Sequence, residues 1–84
     1  MRYTVISSPF AQHLVADIWL RATDRQAVAN ASDRIDAILR EDPSQFTYVD
    51  ADGRRNIVVP PLVITFDVDD DDRKVFLLSV RYKP

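Results

Sequence analysis

Eighty-four residues, no cysteine and a single glycine bound what this chain can be. It makes one domain, 1–84, whose small core neither disulfides nor thiolate metal sites can reinforce. Lysine and arginine total 11 against 13 acidic residues, a net charge of −2, which argues against a general nucleic-acid binder resting on a basic field.

Arg2-Tyr3-Thr4-Val5-Ile6-Ser7 is rich in β-branched and aromatic residues and predicts a first strand. It is unlike a secretory leader, and no apolar run approaches the ~20 residues of a membrane span. The expectation is a cytoplasmic protein. Ser8-Pro9 then opens a helix, with serine as cap and proline at the first helical position. Ala11, Leu14, Val15, Ile18 and Ala22 recur at helical spacing and define its buried stripe. Asp17 stands one turn before Arg21, a surface pair.

Thr23-Asp24 breaks this helix and caps a second, whose stripe is Val28, Ala31, Ile35, Ile38 and Leu39. Asn30, Asp33, Ala37 and Arg40 lie opposite, on a face suited to solvent, and Pro43 ends the helix. So short a link predicts an antiparallel helical hairpin. Gln45 to Val49 is a candidate short strand. Asp50-Ala51-Asp52-Gly53 reads as a turn in which glycine supplies a positive φ.

Three strands follow: Arg54 to Val59, Leu62 to Val68, and Arg73 to Tyr82. Pro60-Pro61 separates the first two, since proline cannot donate to a ladder, and four aspartates separate the last two. Leu62, Ile64, Phe66 and Val68, with Phe76, Leu78, Val80 and Tyr82, are the more apolar alternate set, so the even-numbered residues of both strands should face the helices. Without crossovers the later strands form an antiparallel meander. The expected fold is α+β: a two-layer sandwich, β-α-α-β-β-β, with a helical hairpin on an antiparallel sheet and the other sheet face bare.

The same parity puts Arg81 on the bare face, with Ser79, Thr65 and Asp67, and Lys83 follows it; Arg54 and Arg55 are the remaining cations of the meander. Such cations suit RNA phosphates or an acidic partner peptide, or Arg81 is simply solvated and paired with Asp67 or another acid. Tyr82 should point into the core. His13 lies on the outer face of the first helix, and with no second histidine or cysteine there is no basis for a catalytic triad or a zinc site. Asp69 to Asp72 lack the glycine and spaced ligands of a calcium loop, so no metal site is expected, and no cofactor motif is present. Trp19 should close the edge of the core. Leu20 points away from the stripe: either it forms a small apolar patch for a partner with part of Trp19, or it is one scattered surface leucine.

The chain resembles the RelE/ParE-type toxins of type II toxin–antitoxin systems. The resemblance rests on the strand ending in Ser8-Pro9, Asp17-Ile18-Trp19-Leu20, Arg34 to Leu39 with Asp42-Pro43, Gly53-Arg54-Arg55, Leu62 to Val68, and Val75 through Val80. It implies a cytoplasmic bacterial growth inhibitor neutralised by a small antitoxin, which would contact Trp19, Leu20 and Arg81. RelE-like members are ribosome-dependent ribonucleases; ParE-like members poison DNA gyrase and serve plasmid stabilisation. The RNA-cutting members carry basic residues before and within the third strand, an arginine near the end of the last, and often a tyrosine in a C-terminal tail. Here the third-strand position falls at or near Val63, which is neutral. Arg81, Tyr82 and Lys83 stand near the last-strand position, the sequence ends at Pro84 without a tail, and Arg54 and Arg55 are the upstream cations. The catalytic set Arg81, Lys83, Arg54 and Arg55 is thus partial. The pattern favours a gyrase-directed, ParE-like binder over a complete ribonuclease acting on mRNA in the ribosome, with a non-toxic scaffold of the same fold as a third reading.

Overall fold

A computed structural model describes residues 2–83. The elements are β1 (Thr4–Ser7), α1 (Pro9–Arg21), α2 (Arg25–Glu41), β2 (Thr47–Val49), β3 (Arg55–Val59), β4 (Leu62–Asp69) and β5 (Lys74–Tyr82). They form two layers, the helical hairpin on one face of a five-stranded sheet ordered β1-β5-β4-β3-β2. From β2 to β5 the sheet is antiparallel; β1 adds to its edge in parallel with β5. The helical hairpin is itself the crossover that a parallel pair requires.

Local chemistry sets the helix ends. The Ser8 hydroxyl accepts from the Ala11 amide at 3.0 Å, and the Asp24 carboxylate accepts from the Ala27 amide at 3.0 Å. The Asp17–Arg21 pair forms at 2.6 Å, joined by Asp36–Arg40 at 2.7 Å. Gly53 has φ 81°, as the turn requires. Pro60-Pro61 joins β3 to β4 by a two-residue turn.

The core lies between the layers. Ala11 and Ile18 of α1 and Val28, Ala31, Ile35 and Leu39 of α2 pack on Ile57, Leu62, Ile64, Phe66, Val75, Leu77 and Val80. Tyr82 packs partly buried against this cluster. The even-numbered residues of β4 face the helices as the alternation requires. In β5 the expectation holds for Val80 and Tyr82 but fails before them: Phe76 is exposed, Leu78 only half-buried, and the odd-numbered Val75 and Leu77 are in the core. The cause is a β-bulge. Thr65 pairs with Ser79 but the next residue, Phe66, pairs with Leu77, so Leu78 is the extra residue. One unpaired residue inverts the inward–outward alternation on either side of it.

No helix packs on the other face of the sheet, but that face is not uniformly open. Val63, between Val58 and Arg81 in one cross-strand row, is buried. So is Asn56, whose amide donates to Asp50 Oδ2 at 2.8 Å and whose carbonyl oxygen accepts from the Thr65 hydroxyl at 2.6 Å.

Candidate functional site

Two concave regions flank α1. The larger is a groove of about 640 Å³ between the helices. Gln12, Val15, Ala16, Trp19 and Leu20 of α1 form one wall, and Val28, Ala29, Ser32, Asp33, Ile35 and Asp36 of α2 the other. The helices stand far enough apart for Ile64 and Leu77 of the sheet to line it as well. Its character is mainly apolar, and Leu20, 62% exposed, and Trp19, 42% exposed, sit on its rim. Leu20 is thus off the core stripe, as the helical wheel requires.

Trp19 does not close the edge of the core as expected: it is exposed and outside the core cluster. The Arg25 guanidinium stacks 4.8 Å from its ring centroid while donating to the carbonyl oxygens of Trp19 and Leu20, each at 3.1 Å. Arg25 therefore satisfies helix-end carbonyls of α1 and fixes the indole at the mouth of the groove. Nothing in the sequence pattern marked Arg25, because the contact spans the corner between the helices.

The second region is a cleft of about 610 Å³ between α1 and the end of β5, lined by Leu14, Asp17, Ile18, Arg21, Val80, Arg81, Tyr82 and Lys83. It gathers three cations and a phenol, though Arg21 is already paired with Asp17. Arg81 is exposed and takes part in neither of the salt bridges among the described residues. The anticipated pairing with Asp67 does not form. Asp67 opposes Phe76, four residues along β4 from the Val63–Arg81 pair and hence ~13 Å away.

The four cations considered as a catalytic set are not brought together. Arg55 opposes Phe66 on the helix-side face, at the end of β3 next to the β2–β3 turn that Arg54 closes. Arg81 shares a row with Val63 and Val58 on the opposite face, at the other end of the sheet. Three residues along the strand and two strands across separate them, ~14 Å of backbone before the difference in face. At that distance they cannot grip one phosphate. His13 is exposed, and no cluster of metal-ligating side chains occurs among the described residues. No helix of the described residues is long and apolar enough to cross a membrane.

No protein-family model matches the sequence, and no curated protein matches it. The match comes from solved structures. A chain of the RelBE2 toxin–antitoxin complex of Mycobacterium tuberculosis superposes with a TM-score of 0.80 at 16% identity, over 99% of this chain and 100% of that one. The fold is that of a RelE-type toxin. The likeness runs over nearly the whole of both chains.

Proposed function

We propose that this chain is the toxin of a toxin–antitoxin module, that it acts by binding its target in the manner of ParE-like members, and that DNA gyrase is that target. The toxin role is supported by end-to-end likeness to a chain of a toxin–antitoxin complex. The preference for binding over cleavage rests on one observation: Arg55 lies at the opposite end and face of the sheet from Arg81, Arg54 stays in the turn at that same far end, and Val63 beside Arg81 is neutral. A small antitoxin holds the protein inactive. Its apolar segment would enter the interhelical groove at Trp19 and Leu20, in the helix-in-groove mode, and an acidic stretch would meet Arg81. The setting for such a pair is the bacterial cytoplasm.

Induced expression in bacteria tests this directly. The expected result is growth arrest with broken or unresolved DNA and intact transcripts, relieved by the antitoxin. Growth that continues at full expression would leave only the non-toxic scaffold. A ribonuclease reading keeps one specific support, the cleft that gathers Arg21, Arg81, Tyr82 and Lys83. It requires transcript cleavage that Arg81→Ala abolishes, since a cation on developing phosphate charge contributes several kcal/mol to catalysis.

A further inference from the structure

On the side of α2 that faces α1, Arg25, Ala29, Ser32 and Asp36 recur at the spacing of one helical face, and Asp33 stands beside them. All but Arg25 line the interhelical groove, and Arg25 closes its end at Trp19 and Leu20. The wall is ordered by charge: a cation at one end, small side chains in the middle, acids at the other. Ala16 of α1 lines the same groove and is small too, so a further helix can seat deeply between the walls.

The two ends differ in what they leave free. Arg25 uses two of its five N–H groups on the carbonyls of Trp19 and Leu20 and stacks on the indole, so the rest are presented from a fixed place. It is exposed and takes part in neither salt bridge of the described residues. Its neighbour Asp24 is turned to the Ala27 amide as the cap of α2. At the far end Asp36 is answered by Arg40 at 2.7 Å. Asp33 is not: it is exposed at the outer lip of the groove and in neither salt bridge. Arg25 and Asp33 thus offer one free charge of each sign, ~12 Å apart along the helix. An occupant of uniform sign is repelled at one of them. An apolar occupant satisfies neither.

We propose that the groove takes an amphipathic helix of the antitoxin that sets a carboxylate on Arg25 and a basic side chain on Asp33, about eight residues apart, with apolar side chains between them. This rests on the toxin–antitoxin reading above and adds the charge order by which the groove selects its partner. Arg21, at the same end of α1 as Arg25, borders the cleft of Arg81 and Lys83, so further acidic residues beyond the carboxylate would meet those cations.

The test uses the intact chain and the antitoxin that relieves its growth arrest, with affinity read by calorimetry. Arg25→Glu and Asp33→Lys should each raise the dissociation constant about tenfold or more, and the parent complex should weaken with salt. Circular dichroism confirms that each variant is folded, and Arg25→Gln replaces Arg25→Glu if the reversal unfolds the chain. Antitoxin variants are then selected for recovered binding. Those that rescue Arg25→Glu should exchange an acid for a base, those that rescue Asp33→Lys a base for an acid, and the two sites should lie about eight residues apart on the antitoxin. Sites about four residues apart would mean an extended segment and overturn the helix. An antitoxin that relieves arrest and binds both reversals with undiminished affinity overturns the charge order while the toxin reading stands. Absence of arrest removes that reading, and this proposal with it.

Discussion

Asn56 is the only fully buried polar side chain among the described residues, and it explains how the far end of the meander is held. Its amide donates to Asp50 Oδ2 and to the Arg54 carbonyl, and its own oxygen accepts from Thr65, so the β2–β3 turn, β3 and β4 are tied together. Asn56→Ala removes both sides of this exchange and leaves the half-buried Thr65 hydroxyl without its acceptor. The expected loss is about 1–3 kcal/mol, read from denaturant melts. Asp50 also accepts from the Arg54 and Asp52 amides. The Asn56 hydrogen bond, followed by that of the Arg54 amide, holds its carboxyl below the ordinary aspartate value of 3.8. Asp42 is lowered in the same way by the Ser44 hydroxyl and amide. A carboxyl whose native value is depressed stabilises the fold fully above its unfolded value, and this is lost as pH falls through the native one. Melting temperature should therefore drop as pH is lowered past 3.8. Asp50→Asn should be less stable than the parent at neutral pH, and the gap should narrow in acid. A constant gap at every pH would mean that ionisation of Asp50 is irrelevant to the turn.

The bulge at Leu78 gives β5 two inward sets where regular alternation would give one. Val75 and Leu77 precede it, Val80 and Tyr82 follow it, and all four turn to the helices. Leu77→Ala should thus cost about 2–5 kcal/mol. Phe76→Ser, on the outer face, should stay within about 0.5 kcal/mol. Uninterrupted alternation predicts the reverse order, so one pair of melts decides the register. The capping serines and aspartates, the Gly53 turn and the Pro60-Pro61 break were legible in the sequence because each is fixed within a few residues. The bulge was not, since Leu77-Leu78 offers apolar side chains at either parity and only the pairing with β4 chooses between them. The parallel seat of β1 was likewise invisible. It depends on a crossover spanning both helices, closed by backbone contacts such as the Thr4 amide on the Arg73 carbonyl at 2.8 Å. At the candidate site, the helical wheel placed Leu20 off the core. It said nothing of how widely the helices part, or that Arg55 and Arg81 lie on opposite faces.

At the scale of the whole molecule, the helices diverge enough to leave an apolar groove with Ile64 and Leu77 among its lining, in a domain of only 84 residues. A small domain has few kcal/mol of stability to spare, so a partner that fills this groove should change the fold's stability as well as its activity. Binding to the native state alone stabilises by ~2.7 kcal/mol at a partner concentration one hundred times the dissociation constant, and the melting temperature should rise with added partner if the proposed antitoxin docks here. Leu20 separates docking from folding. It is 62% exposed and outside the core cluster, so Leu20→Asp should leave the isolated domain within about 0.5 kcal/mol of the parent. In the complex the same change sets a carboxylate against apolar surface, where an unpaired charge is strongly disfavoured, and affinity should fall about tenfold or more. Trp19 is the only tryptophan and sits on the groove rim under Arg25, so its fluorescence reports occupancy without a label. Unfolding of Leu20→Asp by itself would place Leu20 in the core after all. Undiminished affinity and an unaltered Trp19 response in both Leu20→Asp and Arg81→Glu would move the proposed antitoxin to a different face of the molecule, since no partner could fill the groove and ignore a new charge at its mouth.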